Sequence, residues 1–239
     1  MNFYDLHVHS AFSEGESTIE QLASTAKLLG YAGICFAEYY KGEEQIKKLA
    51  AEIEKVKEKI GMEVFLGFEA NNSKELNILA DKRKKFDVLL VHGGQVSLNR
   101  EAVETPEVDI LTHPEFNRYD SGLNHIMMKF AAKNNVAIEI NFREVLMSSK
   151  KSRSGLLQNM RTNTMLAKKY HTPLIVSSGA VSHWELRDPQ ALASFASQLG
   201  LDLSDATACM SKVPEKIVRE SEQRRSEGWI QPGVKIMKK

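Results

Sequence analysis

Short apolar runs alternate with longer amphipathic ones along most of this chain. The strand-like runs are NFYDLHV, AGICFAE, EVFLGFE, FDVLLVH, VDILTH, VAIEIN and PLIVSS. Each is short and rich in β-branched or aromatic residues, and all but the first end on a polar residue. The intervening segments have a helical period. In EEQIKKLAAEIEKVKEKIG the apolar positions are Ile46, Leu49, Ile53, Val56 and Ile60, with charge on the opposite face. Ser17 or Thr18 caps a helix that runs to Leu29 and stops at Gly30. GLNHIMMKFAAKNN, LLQNMRTNTMLAKKY and DPQALASFASQLG have the same period, and two more helical stretches follow Leu201. His183 is expected to begin the helix after the seventh strand. The tail GWIQPGVKIMKK has no period and reads as a loose basic arm.

Strand then helix, repeated about seven times, predicts a parallel α/β fold of the TIM-barrel type. No linker rich in Pro, Gly or Ser divides the chain. Residues 1–215 are therefore expected to form one barrel domain, with a C-terminal helix and basic arm over 216–239.

Composition narrows the function classes. At 239 residues the chain can bury a large core, and a net charge of +1 gives no global signature for nucleic acid. An RNA role would need a local patch. Cys35 and Cys209 lie far apart, which argues against a disulfide framework and a Cys-ligated zinc. No run approaches the roughly 20 apolar residues of a membrane span, so a cytoplasmic protein without membrane partners is expected.

Chemistry in such a barrel gathers at the C-terminal strand ends. There this chain places His7 and His9, Glu38, Glu69, His92 and His113. An i, i+2 histidine pair on an extended segment can point both imidazoles at one ion. The seventh strand runs into SSGAVSH, where Gly179 and Val181 offer no ligand. That leaves half a metal site.

The His-x-His, the GFE ending on Glu69 and the THP around His113 resemble the polymerase-and-histidinol-phosphatase superfamily of metal-dependent phosphoesterases. His7, His9, Glu69 and His113 match its motifs. Gly179 and Val181 replace its strand-seven Asp-x-His, Tyr39 replaces a His, and Glu14 replaces an Asp. The resemblance therefore implies a vestigial cluster with no metal expected. A Gly179→Asp, Val181→His double substitution is the natural test of whether the site is still in register.

A narrower resemblance spans VDILTHPEFNRYDSGLNHIMMKFAAKNNVAIEINFREVL and NMRTNTMLAKKYHTPLIVSSGAVSHWELRDPQAL. These runs are similar to archaeal ribonuclease P protein component 3, the 30-kDa-type subunit family, and the likeness extends to about Lys216. It implies a barrel that supports a catalytic RNA in removing the 5′ leader of precursor tRNA, and that is not catalytic alone. It also implies no tightly bound cofactor, Mg2+ used by the RNA, and pairing with the small component 2 subunit. The alternative is a metal-dependent phosphoesterase acting on a small phosphate ester.

The charge pattern agrees with an RNA partner. From Val145 to Trp184 there is no Asp or Glu, yet Lys150, Lys151, Arg153, Arg161, Lys168 and Lys169 lie in that span. A solvated helix face is the competing explanation. Arg100, Arg118 and Arg143 follow strands four, five and six, where each can grip phosphate or pair with Glu139, Glu144 or Asp120. Lys82–Lys85 reads as a helix C-terminal complement. Lys235, Lys238 and Lys239 can add phosphate contacts from the tail. Stacking motifs are thin, so recognition of backbone and shape is expected rather than sequence reading.

Overall fold

The computed structural model describes residues 1–226, 229–231 and 234–235. Seven parallel strands pair in chain order: β1 (Phe3–Val8), β2 (Tyr31–Tyr39), β3 (Glu63–Ala70), β4 (Val88–His92), β5 (Ile110–Thr112), β6 (Ala137–Asn141) and β7 (Leu174–Ser177). Between and after them run α1 (Ile19–Leu28), α2 (Glu43–Ile60), α3 (Ser73–Asp81), α4 (Val96–Glu104), α5 (His125–Asn134), α6 (Phe142–Met147), α7 (Lys150–Tyr170), α8 (Pro189–Gln198), α9 (Leu203–Ala208) and α10 (Lys212–Arg225). The expected TIM-barrel-like α/β fold is the one found.

Local chemistry sets the helix ends. Thr18 and Gln21 form a reciprocal capping box at α1, and Asn72, Asn124, Ser149 and Asp188 cap α3, α5, α7 and α8. Two elements differ from the sequence reading. Ser149 starts α7 at Lys150, six residues before the apolar period becomes visible at Leu156. His183 lies in a turn instead of opening a helix, because Asp188 and Pro189 supply the cap and first residue of α8 five positions later. The tail contains two short antiparallel strands, β8 (Trp229–Gln231) and β9 (Val234–Lys235), too short to show a period. Lys238 and Lys239 lie outside the described residues.

β1 and β7 meet without a ladder, so the barrel is nearly closed. The seam is joined by His9 N–H donating to Ala180 O at 2.9 Å, and by the buried Asp5 carboxylate, which accepts from Ser178 N at 3.3 Å. Burial pushes the Asp5 carboxyl up to about 6.

Side-chain alternation then decides what fills the barrel. Tyr4, Leu6, Cys35, Ala37, Phe65, Val88, Leu90, Ile110, Ala137 and Ile175 form the interior cluster. Two residues further along the same inward rows stand Tyr39, His92, Thr112, Glu139 and Ser177, and Glu69 and Asn141 stand four residues on. In β1 the pairing slips between Asp5 and Val8. Leu6 thus fills the interior, Val8 packs outward under the helices, and His7 and His9 reach the inner site.

The helix α10 crosses position 215 and plugs the opposite end, packing Ile217 and Val218 onto the interior cluster. There the basic run 82–85 is structural. Arg83 pairs with Asp109, and Lys82 and Lys85 both pair with Glu43 on α2. These pairs tether the end of α3.

Candidate functional site: a buried histidine–carboxylate cluster and a basic helix

The expected strand-end residues converge at the C-terminal mouth. His7 and His9 face each other, Nε2 to Nε2, at 3.0 Å. Glu69 lies between two histidine pairs: its carboxylate is 3.8 Å from His7, 3.8 Å from His9, 3.6 Å from His92 and 3.8 Å from His113. His92 joins the cluster through His113, Nδ1 to Nε2, at 3.1 Å. His113 holds φ +27, a backbone region that side-chain-bearing residues seldom occupy, and its N–H donates to Glu139 Oε2 at 3.1 Å.

Glu139, which the sequence offered only as a partner for arginine, anchors the cluster instead. It sits 2.6 Å from His7 Nδ1 and accepts from Ser177 Oγ, with Asn141 Nδ2 at 3.3 Å. Its signal in the sequence was an acid inside the apolar run VAIEIN, at an inward position of a buried strand. Burial pulls the His7 pKa down, but the Glu139 and Glu69 charges outweigh it and hold His7 at about 9. Burial raises Glu139, but His7 brings it down to about 2. His9, buried beside a charged His7, falls to about 4. Glu69 stays well below the ordinary carboxylate range, its burial overcome by the surrounding histidines. Glu38 is separate: its Oε1 accepts from Ser10 N and Oγ at 3.1 and 2.5 Å.

The donor set suits a divalent cation on either side of Glu69. Donor atoms of His7, His9 and Glu69 lie within 4.8 Å of one another, as do those of Glu69, His92 and His113, and the buried Glu69 Oε2 accepts no hydrogen bond. Such an ion, held by Glu69 and the flanking imidazoles, would supply Lewis-acid chemistry. Strand seven contributes no ligand, and at Gly179 the fold leaves little room for any side chain. Gly179 has φ +63, and a Cβ there would lie 2.4 Å from Asn141 Oδ1. Asn141 occupies the room that a strand-seven acid needs, and its own side chain caps α6. The Gly179→Asp test is therefore not a simple restoration. Gly179→Ala is expected to cost about 2–4 kcal/mol from clash and left-handed strain together, read by urea denaturation. Adding Asn141→Ala should recover the clash portion, giving a coupled double-mutant cycle; additive losses would refute the collision.

The basic residues do not gather at this mouth. Lys150, Lys151 and Arg161 are exposed on α7 and have no ionic or hydrogen-bond partner among the described residues. Arg153 turns back to donate to the Val145 and Ser148 carbonyls at 3.0 and 2.8 Å, closing the end of α6. Lys168 reaches Asp202 at 3.3 Å, and Lys169 lies 5.5 Å above the Tyr170 ring. Arg100 pairs with Glu104 along α4, Arg118 forms a two-pronged pair with Asp120, and Arg143 pairs with Glu185. The rivalry between phosphate and carboxylate is thus met for all three arginines by a carboxylate, and Asp120 is the one partner foreseen.

Seven parallel strands paired in chain order and wrapped by helices define the class of TIM-barrel-like α/β proteins. Among solved structures, the histidinol phosphate phosphatase of Lactococcus lactis, complexed with zinc, L-histidinol and phosphate, shares this fold at a TM-score of 0.52 and 13% identity, over 92% of this chain and 94% of that one. The chain belongs to the RNase P subunit p30 family, whose profile matches residues 2–226. Ribonuclease P protein component 3 of Methanosarcina mazei is 38% identical over 98% of this chain and 95% of its own length. That of Methanothermobacter thermautotrophicus is 30% identical over 99% and 96%. A chain in the cryo-EM structure of archaeal ribonuclease P with mature tRNA superposes at a TM-score of 0.81 and 28% identity, covering 98% of this chain and 99% of that one. Among the described residues no helix is long and apolar enough to cross a membrane.

Proposed function

We propose that this chain is a protein subunit of ribonuclease P, supporting a catalytic RNA that removes the 5′ leader of precursor tRNA. The observation that carries the reading is the end-to-end match to component 3 proteins, 38% identical over 98% of this chain. Shared fold with a phosphatase at 13% identity speaks only to architecture, and the strand-seven position is filled by Asn141. The phosphoesterase alternative is therefore set aside.

In this reading the RNA, with its own Mg2+, performs the cleavage, and the chain works in the cytoplasm beside the smaller component 2 protein. The cationic set is Lys150, Lys151, Arg153, Arg161, Lys168 and Lys169 with Arg100, Arg118 and Arg143. Of these, Lys150, Lys151 and Arg161 lead, because their charges are not already engaged by a neighbour among the described residues. The face of α7 they share carries no acid, so phosphates meet no repulsion there.

Reconstitution tests this. Leaving the chain and its protein partner out of the particle should lower precursor-tRNA cleavage and raise the magnesium requirement; unchanged activity at every magnesium concentration would defeat the reading. Replacing Lys150, Lys151 and Arg161 with Gln should weaken RNA binding without regard to sequence. It should also flatten the salt dependence by about one unit of log–log slope for each phosphate that is no longer neutralised.

A further inference from the structure

We infer that Trp184 is a stacking platform for an unpaired RNA base, fixed at the C-terminal mouth of the barrel. The inference rests on the ribonuclease P reading and adds an interaction that charge alone does not provide.

Trp184 is 80% exposed, although an indole is among the costliest side chains to leave in water. The turn that carries it is nevertheless held firmly. His183 N–H donates to Ser17 Oγ at 3.1 Å, and the His183 ring nitrogen Nδ1 meets the same hydroxyl at 2.8 Å. Glu185 N–H donates to Ser182 O at 2.9 Å, and the Glu185 carboxylate accepts from Val181 N at 3.1 Å. Arg187 Nη1 donates to the Trp184 and Leu186 carbonyls, each at 2.9 Å. The His183 ring lies against the indole, centroids 4.4 Å apart at 39°. An aromatic plate ordered in advance gives up little entropy when a ligand arrives.

The surroundings choose the ligand. Trp184 is the last residue of the acid-free span that begins at Val145. The other end of that span, with Lys150 and Lys151, leaves the same rim through α6, whose Arg143 N–H donates to Ser178 O at 3.1 Å. The His183 ring packs on the indole, Arg187 and Ser182 bond the Trp184 backbone, and the next residue, Glu185, is paired with Arg143 at 3.2 Å. A protein–protein hot spot is ringed by apolar side chains with charges depleted. An exposed aromatic plate beside Arg187, whose guanidinium meets carbonyls and no carboxylate among the described residues, is instead an arrangement that suits an unpaired base along a phosphate backbone.

The full chain carries only two tryptophans, Trp184 and Trp229, so Trp229→Phe leaves a single reporter. Titrating that protein with ribonuclease P RNA, and separately with precursor tRNA, should quench the Trp184 emission; whichever RNA quenches it supplies the base. Trp184→Ala should weaken binding to that RNA by roughly 5- to 150-fold, while Trp184→Phe retains most of the affinity. Because stacking releases no counterions, the salt slope should stay unchanged in both variants, unlike that of the Lys150, Lys151 and Arg161 substitutions. Equal thermal midpoints establish that each variant is folded. If wild-type protein binds RNA and Trp184→Ala binds equally well, the stacking site is wrong and the subunit reading stands. If the component 2 protein alone quenches Trp184 and RNA adds nothing, the surface is a protein interface and the inference is overturned. If wild-type protein binds neither RNA and does not stimulate cleavage, both fall.

Discussion

Asp109→Ala should lower the thermal midpoint by about 6–20 °C. Asp109 is 3% exposed and lies at the closed end of the barrel. Its carboxylate accepts from Leu89 N at 2.8 Å, from Arg83, and from Arg224 Nη2 of α10 at 2.6 Å. Truncation strands two cations. Arg83, itself 5% exposed, keeps the carbonyls of Phe86, Asp87 and Glu107 and the Phe86 ring, but no carboxylate within ion-pair distance among the described residues. Leaving a buried charge uncompensated costs about 3–5 kcal/mol, and at this chain length each kcal/mol moves the midpoint by about 2–4 °C. The substitution should also loosen α10, because Arg224 and the neighbouring Arg225–Asp87 pair tie that helix to the barrel. Hydrogen exchange on α10 amides rising before the rest of the barrel would show it. A midpoint within 2 °C of wild type would contradict this account.

The second large effect lies at the opposite mouth and depends on pH. Glu139→Gln keeps the shape of the side chain but removes the charge that holds His7. The Glu139 pKa, about 2 in the fold, lies below its ordinary 4.5, so this carboxylate contributes stability above pH 4.5 and loses it as pH falls towards 2. The His7 pKa, about 9, lies above its ordinary 6.5, so its contribution is whole below pH 6.5 and disappears as pH rises through 9. The pair therefore stabilises most between pH 4.5 and 6.5. In that window Glu139→Gln should cost about 3–5 kcal/mol. The gap between variant and wild type should narrow on either side. Urea denaturation across pH 3 to 10 reads this directly. A gap that does not vary with pH would contradict the shifted titration of both groups.

Much of this was legible in one dimension. The seven strands, their parallel order and the barrel follow from a period that changes from two to 3.6, because each element must bury one face. The ligand-type residues were legible too: an acid or imidazole at the end of an apolar strand has no reason to be there for packing. Family membership was visible in long ordered runs such as SSGAVSHWELRDP.

Other features depend on meetings between segments far apart in the chain. Glu139 and His7 are 132 residues apart, and only barrel closure brings them within 2.6 Å. Gly179 reads in the sequence as a missing ligand; the fold shows it as a glycine required by Asn141, 38 positions earlier. Lys82–Lys85 reads in the sequence as a helix C-terminal complement; the fold adds Glu43 and Asp109, which meet it from other elements. The chain alone determined which side chains could point inward, since alternation along a strand is local geometry. Which of them would share a charge, leave room for one another, or stay open to solvent as Trp184 does was decided by the closed barrel. Coulomb forces and steric exclusion act across space, and sequence separation does not measure that distance.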